Sequence, residues 1–433
     1  MSRFVPVTKP PYNLPMPKYL LPILLTLLTL AACTPKPPPA APTATHTAVP
    51  LPTATPSPTA TAIATAVPLP THTATPTPTP TPAYPVYTGP PLAQNRLGIQ
   101  LHLRDENQLD LFHHLQQLGV GWVKVQISWK LYEPEPGNYH TERFAELDTF
   151  VRQANALGIS VLLSVSKAPE WSRPTTELDG PPADFALYTQ FMRNLAQRYQ
   201  GQVAAYELWN EPNLQREWNG RPLSGSDFVT LIQAGAAGVR AADPAALLIA
   251  GAPATTGIND RLTAIDDRVF LQEMLDAGVT AHVDAIAAHP YGWANPPDST
   301  ISQPNPAIPS HNNHPSFFFR DTLADYRTLL DQSGSSLPIW VTEFGWGSFE
   351  NIAPAPPPGV EFMADVSEWQ QAIYTLRALE LAQTDPQLGP LILWNLNFGH
   401  LLGTEFSESG YGILRPDGTE RPLYHTLATA PKE

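Results

Sequence analysis

An α/β fold is predicted for this chain: a (β/α)8 TIM barrel preceded by a disordered Pro/Thr-rich tether. Three observations carry the prediction. Apolar, β-branched runs alternate with helical patterns along the larger part of the 433-residue sequence, as parallel strands with helical crossovers require. Eight such units fit between residues 93 and 430, the complement of a closed barrel. The segment before them holds many of the chain's 51 prolines and is nearly free of large apolar residues after Cys33. Such a segment cannot bury enough surface to offset its conformational entropy.

Residues 1–32 read as an export signal. Arg3, Lys9 and Lys18 stand without an acid before the apolar stretch 19–32, and Ala31 and Ala32 precede Cys33. Leu30-Ala31-Ala32-Cys33 resembles the lipobox of bacterial lipoproteins. That resemblance implies cleavage before Cys33, lipid on its sulfur, and an extracytoplasmic domain anchored to the membrane, at the cell surface or in the periplasm. An uncleaved membrane span is the competing reading, but the run falls short of the ~20 residues that cross a bilayer, and Pro22 interrupts it. Cys33 is the sole cysteine, so the folded part has neither a disulfide nor a thiolate nucleophile. Residues 33–92 repeat Pro-Thr and Thr-Pro-Thr-Pro. An extended polyproline spacer of this length reaches on the order of 150 Å at ~3.1 Å per residue.

Strands are expected at residues 97–102, 122–129, 160–165, 203–209, 246–252, 283–289, 339–343 and 391–396. The first helix is expected at 108–119, where Leu109, Phe112, Leu115 and Leu118 recur at helical spacing. The others are expected at 141–158, 184–199, 228–242, 266–277, 322–333 and 366–384. Gly119, Gly158 and Gly278 stand where helices should end. A doubly wound open sheet is the alternative, but no Gly-rich phosphate loop follows a strand.

In such a barrel the chemistry lies at the C-terminal ends of the strands. Strand 4 ends Trp209-Asn210-Glu211-Pro212-Asn213, and strand 7 ends Thr342-Glu343-Phe344-Gly345. Strand 6 ends His289-Pro290-Tyr291, and strand 8 carries Trp394. Two carboxylates at strand ends among tryptophans suit glycosidic-bond cleavage: one acid protonates the leaving oxygen while the other faces the anomeric carbon. Indole faces pack on sugar C–H faces, and an amide such as Asn210 binds hydroxyls.

Taken together, these motifs resemble those of clan-A glycoside hydrolases, family 39 first and family 5 next, over residues 95–427. The resemblance implies a glycosidase cleaving β-linked oligo- or polysaccharides with retention, Glu211 as acid/base and Glu343 as nucleophile. It also implies that Asn210 holds the sugar 2-hydroxyl, Tyr291 donates to Glu343, His289 lines the same subsite and Trp394 lies under the reacting sugar. Trp129, Trp171 and Trp346 are further candidate sugar platforms, as are Trp218 and Trp293. The carboxyls are expected ~5–5.5 Å apart, with the Glu211 pKa raised so that it can donate a proton. Many relatives carry an arginine on strand 2 aimed at the nucleophile. Here the candidate is Lys124, a point charge in place of a fork of donors, which leaves a second hydrogen bond to Glu343 open. Glu207 lies mid-strand and is expected to face the barrel interior, paired with Lys124.

A net charge of −14 without any basic run argues against nucleic acid and anionic lipid surfaces as direct partners. The expected partners are a carbohydrate substrate and the membrane through the lipid on Cys33; a monomer without cofactor is expected. His311 and His314 lie in a Pro/Asn-rich loop, 294–315, without a metal-ligand pattern, so no metal is expected. Trp122, Trp340 and Trp369 read as packing, Glu133 and Glu170 as loop residues. The alternative function is a non-catalytic glycan-binding surface lipoprotein on a decayed glycosidase barrel.

Overall fold

The computed structural model describes residues 83–308, 310–352 and 355–433. The export signal, Cys33 and most of the tether lie outside these residues. Eight parallel strands close in sequence order into a barrel. They are β1 Leu97–Leu101, β2 Trp122–Ser128, β3 Ser160–Ser166, β4 Ala205–Leu208, β5 Leu247–Ala250, β6 Ala285–Ala288, β7 Ile339–Phe344 and β8 Leu388–Leu393. The ring closes where Gly98 of β1 pairs with Ile392 of β8. β8 begins at Leu388, earlier than the expected 391. Gly389 and Pro390 hide that start from a reading based on strand-forming residues.

The crossover helices are α1 Gln108–Leu118, α2 Thr141–Ala156, α3 Phe185–Arg198, α4 Gly225–Ala242, α5 Asp267–Asp276, α6 Phe319–Gln332 and α7 Glu368–Gln383. A last helix, α8 Pro422–Thr429, follows β8. It is missing from the sequence expectation because its 8 residues are too few for a periodic pattern to stand out. Side chains start several helices: Asp184 accepts from Ala186 N at 2.9 Å, and Ser367 with Gln370 forms a reciprocal capping box before α7. Gly119 closes α1 at φ 63°, a left-handed value that costs glycine nothing.

Alternation along the strands separates two environments. Val123, Val125 and Ile127 of β2, like Val161, Leu163 and Val165 of β3, join the core shared with the helices. A second apolar cluster contains Leu162, Ala205, Ile249, Ala287, Trp340 and Ile392, the residues of opposite parity along the axis. Trp122 and Trp340 meet edge to face there, centroids 5.0 Å apart, near the start of their strands. Toward the strand C-termini the axis becomes polar, with Gln100, Lys124, Ser164, Glu207 and Thr342 all buried. Burying a Val or Leu side chain contributes about 1.5–3 kcal/mol. A charge buried without a partner costs more than several such gains, so this polar layer must be paired internally.

The end of β4 leaves the regular strand abruptly. Trp209 and Glu211 take φ values of 78° and 48°, both left-handed. Neighbouring backbone holds the turn: Trp209 N donates to Val165 O and Glu211 N to Ala252 O, each at 3.0 Å. Gly251 lies directly against it, where an added Cβ would stand 2.3 Å from Trp209 O. Gly251→Ala is therefore expected to lower stability by about 1–3 kcal/mol through overpacking. Urea unfolding measures this; an unchanged midpoint would mean that the turn yields freely.

Candidate active site

The turn after β4 sets the Glu211 carboxylate at the mouth of the barrel. Its Oε1 lies 3.3 Å from His289 Nδ1, beyond β6. Its Oε2 accepts from Arg216 Nη2 at 3.1 Å. Asn213, in the same motif, knits the turn to the neighbouring loop: its Nδ2 donates to Ala254 O and Ile265 O, and its Oδ1 accepts from Ala254 N at 2.7 Å.

Glu343 arrives differently. The β7–β8 register shifts between Val341 and Phe344. An irregularity of this kind re-aims a side chain. Glu343 turns inward to Lys124, whereas its neighbour Phe344 packs in the outer core. Lys124 Nζ donates to Glu343 Oε1 at 3.0 Å and to Thr342 O at 3.2 Å, and lies 2.9 Å from Glu207 Oε2. Tyr291 OH donates to Glu343 Oε2 at 2.9 Å. Each oxygen of Glu343 therefore has a donor, and the lysine on β2 fills the place that the sequence left open. The expected Lys124–Glu207 pair is present, fully buried.

The ligand-type atoms of Glu211, His289 and Glu343 all lie within 4.8 Å of one another. Among the described residues no other His, Cys or acid cluster approaches so closely. Lys124 and Arg216 already bring positive charge to both carboxylates, so this donor set does not call for a metal ion.

Electrostatics follow from this geometry. Burial works against the Lys124 ammonium, but Glu207 and Glu343 outweigh it and raise the Lys124 pKa. Burial would raise the Glu207 carboxyl, yet Lys124 and His289 hold it below the usual range. Burial disfavours a charged His289, but the Glu343 charge and the Glu211 hydrogen bond raise its pKa. The Tyr291 phenol is pushed well above its ordinary value by burial and by Glu343, so it remains a donor. Glu211 departs from expectation. Burial would raise it, but the His289 hydrogen bond and the Arg216 charge prevail and bring it down to about 2. Water screens the exposed Arg216, which tempers the size of this effect but not its direction.

The other expected residues divide. Asn210 is buried, and its Oδ1 finds no partner among the described residues. Trp394 is half-buried, edge-on to Tyr291 at 5.9 Å and 5.0 Å from the ring of Tyr411. Trp171 is half-buried and donates to Glu133 O at 3.0 Å. Two proposed platforms are overturned. Trp129 is 0% exposed, stacks on Phe191 at 5.0 Å and donates to Glu133 Oε2 at 2.7 Å. Trp346 is 1% exposed and donates to Asn295 O at 2.7 Å. Both indoles turn into the helix layer instead of the cleft, so neither offers a face to a sugar. Trp218 is buried too, and Trp293 has one face covered by His311 at 4.5 Å.

The sequence did not single out Arg216 or Tyr411. Tyr411 lies in a short helix after β8, Glu408–Tyr411, where no motif or period marks it. Arg216 carried one usable signal: it is the sole cation between Glu211 and Asn219. The buried Lys124 cluster yields a test. Lys124→Met leaves two buried carboxylates without their shared cation and should cost about 3–5 kcal/mol in urea unfolding. Adding Glu207→Gln should restore part of that loss, because one of the stranded charges goes with it. A double variant as unstable as the single one would contradict the shared pairing.

The family model described as cellulase, glycosyl hydrolase family 5, matches residues 87–378, more than half of the chain. Family 5 is one of the two families that the strand-4 and strand-7 motifs resemble. No curated protein matches the sequence. Among solved structures, the fold is similar to a family 39 glycoside hydrolase from Bacteroides cellulosilyticus, with 19% identity and a TM-score of 0.59 over 78% of this chain and 63% of that one. It is also similar to a glucosidase from Croceicoccus marinus, with 17% identity and a TM-score of 0.54 over 78% of this chain and 68% of that one. An exo-β-1,4-mannosidase from an Opitutaceae bacterium shares 14% identity and a TM-score of 0.52 over 80% of this chain and 60% of that one. The chain thus spans under two thirds of the length of the first and the third. With its closed eight-stranded barrel and its match to the family model, the chain belongs to the cellulase family, glycosyl hydrolase family 5.

Proposed function

We propose that the chain is a retaining O-glycoside hydrolase for β-linked oligo- or polysaccharides, with Glu343 as nucleophile and Glu211 as acid/base. The observation that carries this reading is the approach of the two carboxylates to within 4.8 Å around His289, close to the ~5–5.5 Å separation of retaining pairs. Glu343 attacks the anomeric carbon as the C–O bond breaks; the bond pair goes to the leaving oxygen, which takes the proton of Glu211. Water then gives a proton to Glu211 and attacks the same carbon, and Glu343 leaves with its bonding pair. The unpartnered Asn210 Oδ1 suits a sugar 2-hydroxyl, whose interaction strengthens at the transition state. Trp394 serves as the platform under the reacting sugar and Trp171 as an outer one. Membership of a glycosyl hydrolase family supports the reaction class.

The Leu30–Cys33 motif supports a lipid anchor outside the cytoplasm, with residues 33–92 as spacer. Mass spectrometry of the mature N-terminus is expected to find diacylated Cys33, and an intact Met1 would remove the anchor from the proposal.

Aryl β-glycosides should be turned over by the wild type with retained anomeric configuration, followed by proton NMR. Glu343→Gln should abolish turnover, and Glu211→Gln should slow it by about 10²–10⁴-fold on substrates with poor leaving groups. Glycan binding without turnover, unaffected by either change, would instead identify a binding protein.

A further inference from the structure

We infer that Arg216 is a positioning residue that couples the proton on Glu211 to occupancy of the leaving-group side of the cleft. The inference rests on the assignment of Glu211 as acid/base. Its observations are geometric. Glu211 Oε1 faces His289, which is fully buried, so this oxygen is enclosed. Oε2 is the oxygen left toward the cleft, and Arg216 Nη2 holds it at 3.1 Å. The Arg216 side chain is 65% exposed and the Glu211 side chain 14%, so the guanidinium covers the carboxylate from the solvent side. Arg216 makes no other side-chain hydrogen bond among the described residues.

A leaving sugar must bring its glycosidic oxygen to the Glu211 oxygen that delivers the proton. The guanidinium and that sugar claim the same position. A single exposed contact is a weak hold, and Arg216 can swing into water when the sugar enters. Glu211 then faces His289 without a second cation and binds a proton more readily. That is the form needed while the leaving group is present. Once the sugar departs, Arg216 returns beside Oε2 and favours the carboxylate; a water, far smaller than a sugar, shares that oxygen through its second lone pair and passes its proton to it. Glu211 gains one proton from solvent before the first step and loses it to the glycosidic oxygen; it gains one from water in the second and returns it to solvent.

Other groups around the pair do not duplicate this. Glu211 and Arg216 are faced by His289 and Tyr291 after β6, Glu343 on β7, Lys167 after β3, and Glu408 and Tyr411 after β8. Glu217 follows Arg216 in the chain but is buried, with Lys167 at 3.8 Å. Arg216 combines majority exposure with direct contact to Glu211, as none of these does.

Steady-state kinetics of the full chain and of Arg216→Ala and Arg216→Lys decides the matter. With a dinitrophenyl glycoside, whose leaving group departs unaided, kcat reports the second step, where Glu211 acts as base beside an empty leaving-group site. The acid limb of that kcat should move up by about one pH unit in Arg216→Ala, a tenfold loss below it. Arg216→Lys should restore the limb. With an unactivated oligosaccharide, the basic limb of kcat should stay in place, because Arg216 has already left. Lower rates with both limbs unmoved would reduce Arg216 to a structural role, and movement of both limbs would mean that it never leaves. Carbon-13 titration of the Glu211 carboxyl in the free full chain, assigned against Glu211→Gln, should give a higher value in Arg216→Ala; equal values overturn the inference. Absence of wild-type turnover would sink the glycosidase reading instead, and the carboxyl titration still reads the contact.

Discussion

Two carboxylates, Glu207 and Glu343, lie inside a closed barrel, and one ammonium faces both, at 2.9 and 3.0 Å. Without Lys124 both would lose their shared buried cation, and a buried charge without a partner is costly. The lysine's shape suits the task. Its ammonium donates to Glu343 Oε1 and Thr342 O and stands 2.9 Å from Glu207 Oε2, so three oxygens are arranged around one nitrogen. A guanidinium would aim its fork at a single carboxylate and need more room along an axis that Ser164 and Gln100 already fill. Glu207 thus supplies the second charge that keeps the ammonium ionised and in place. When Glu343 becomes an ester in the proposed reaction, Lys124 retains Glu207 as counter-charge and has no reason to move.

The barrel was legible because parallel strands buried on both sides leave continuous apolar runs, and glycines mark the helix ends. The strand-end positions of Glu211, Glu343, His289 and Tyr291 followed from the same counting. Side-chain direction beyond the strands was not legible. Trp129 directly follows β2 and Trp346 stands two residues past β7, yet a short helix turns the first onto Phe191 and a hydrogen bond to Asn295 O holds the second. Sequence places a residue at the rim; loop geometry decides whether it looks into the cleft or away from it. Nor was the low Glu211 pKa legible. It depends on the His289 hydrogen bond and on Arg216 folding back across five residues of irregular turn, and no periodicity encodes such contacts.

Depth orders the charges along the axis. Glu207 and Lys124 are sealed, Glu343 and Glu211 successively less so, and Arg216 stands mostly in water. Attraction between charges strengthens where water is excluded and weakens where it enters. The deep pair therefore provides a fixed field, and Glu343, which as the proposed nucleophile must present the same charge at every turnover, draws on that field through Lys124 and the Tyr291 hydroxyl. As the proposed acid/base, Glu211 has the opposite requirement, because it must change its proton twice per cycle. One of its oxygens is fixed by buried His289, which preserves its aim; the other meets a cation screened by solvent, which can be exchanged at little cost. A second buried cation at Glu211 would hold it ionised throughout and stop proton donation. An uncharged surface there would leave more of it protonated at acid pH, when it has to accept a proton from water. An exposed arginine within reach of the carboxylate lies between those limits, so in the inferred arrangement the same glutamate is aimed by the protein and switched by the substrate.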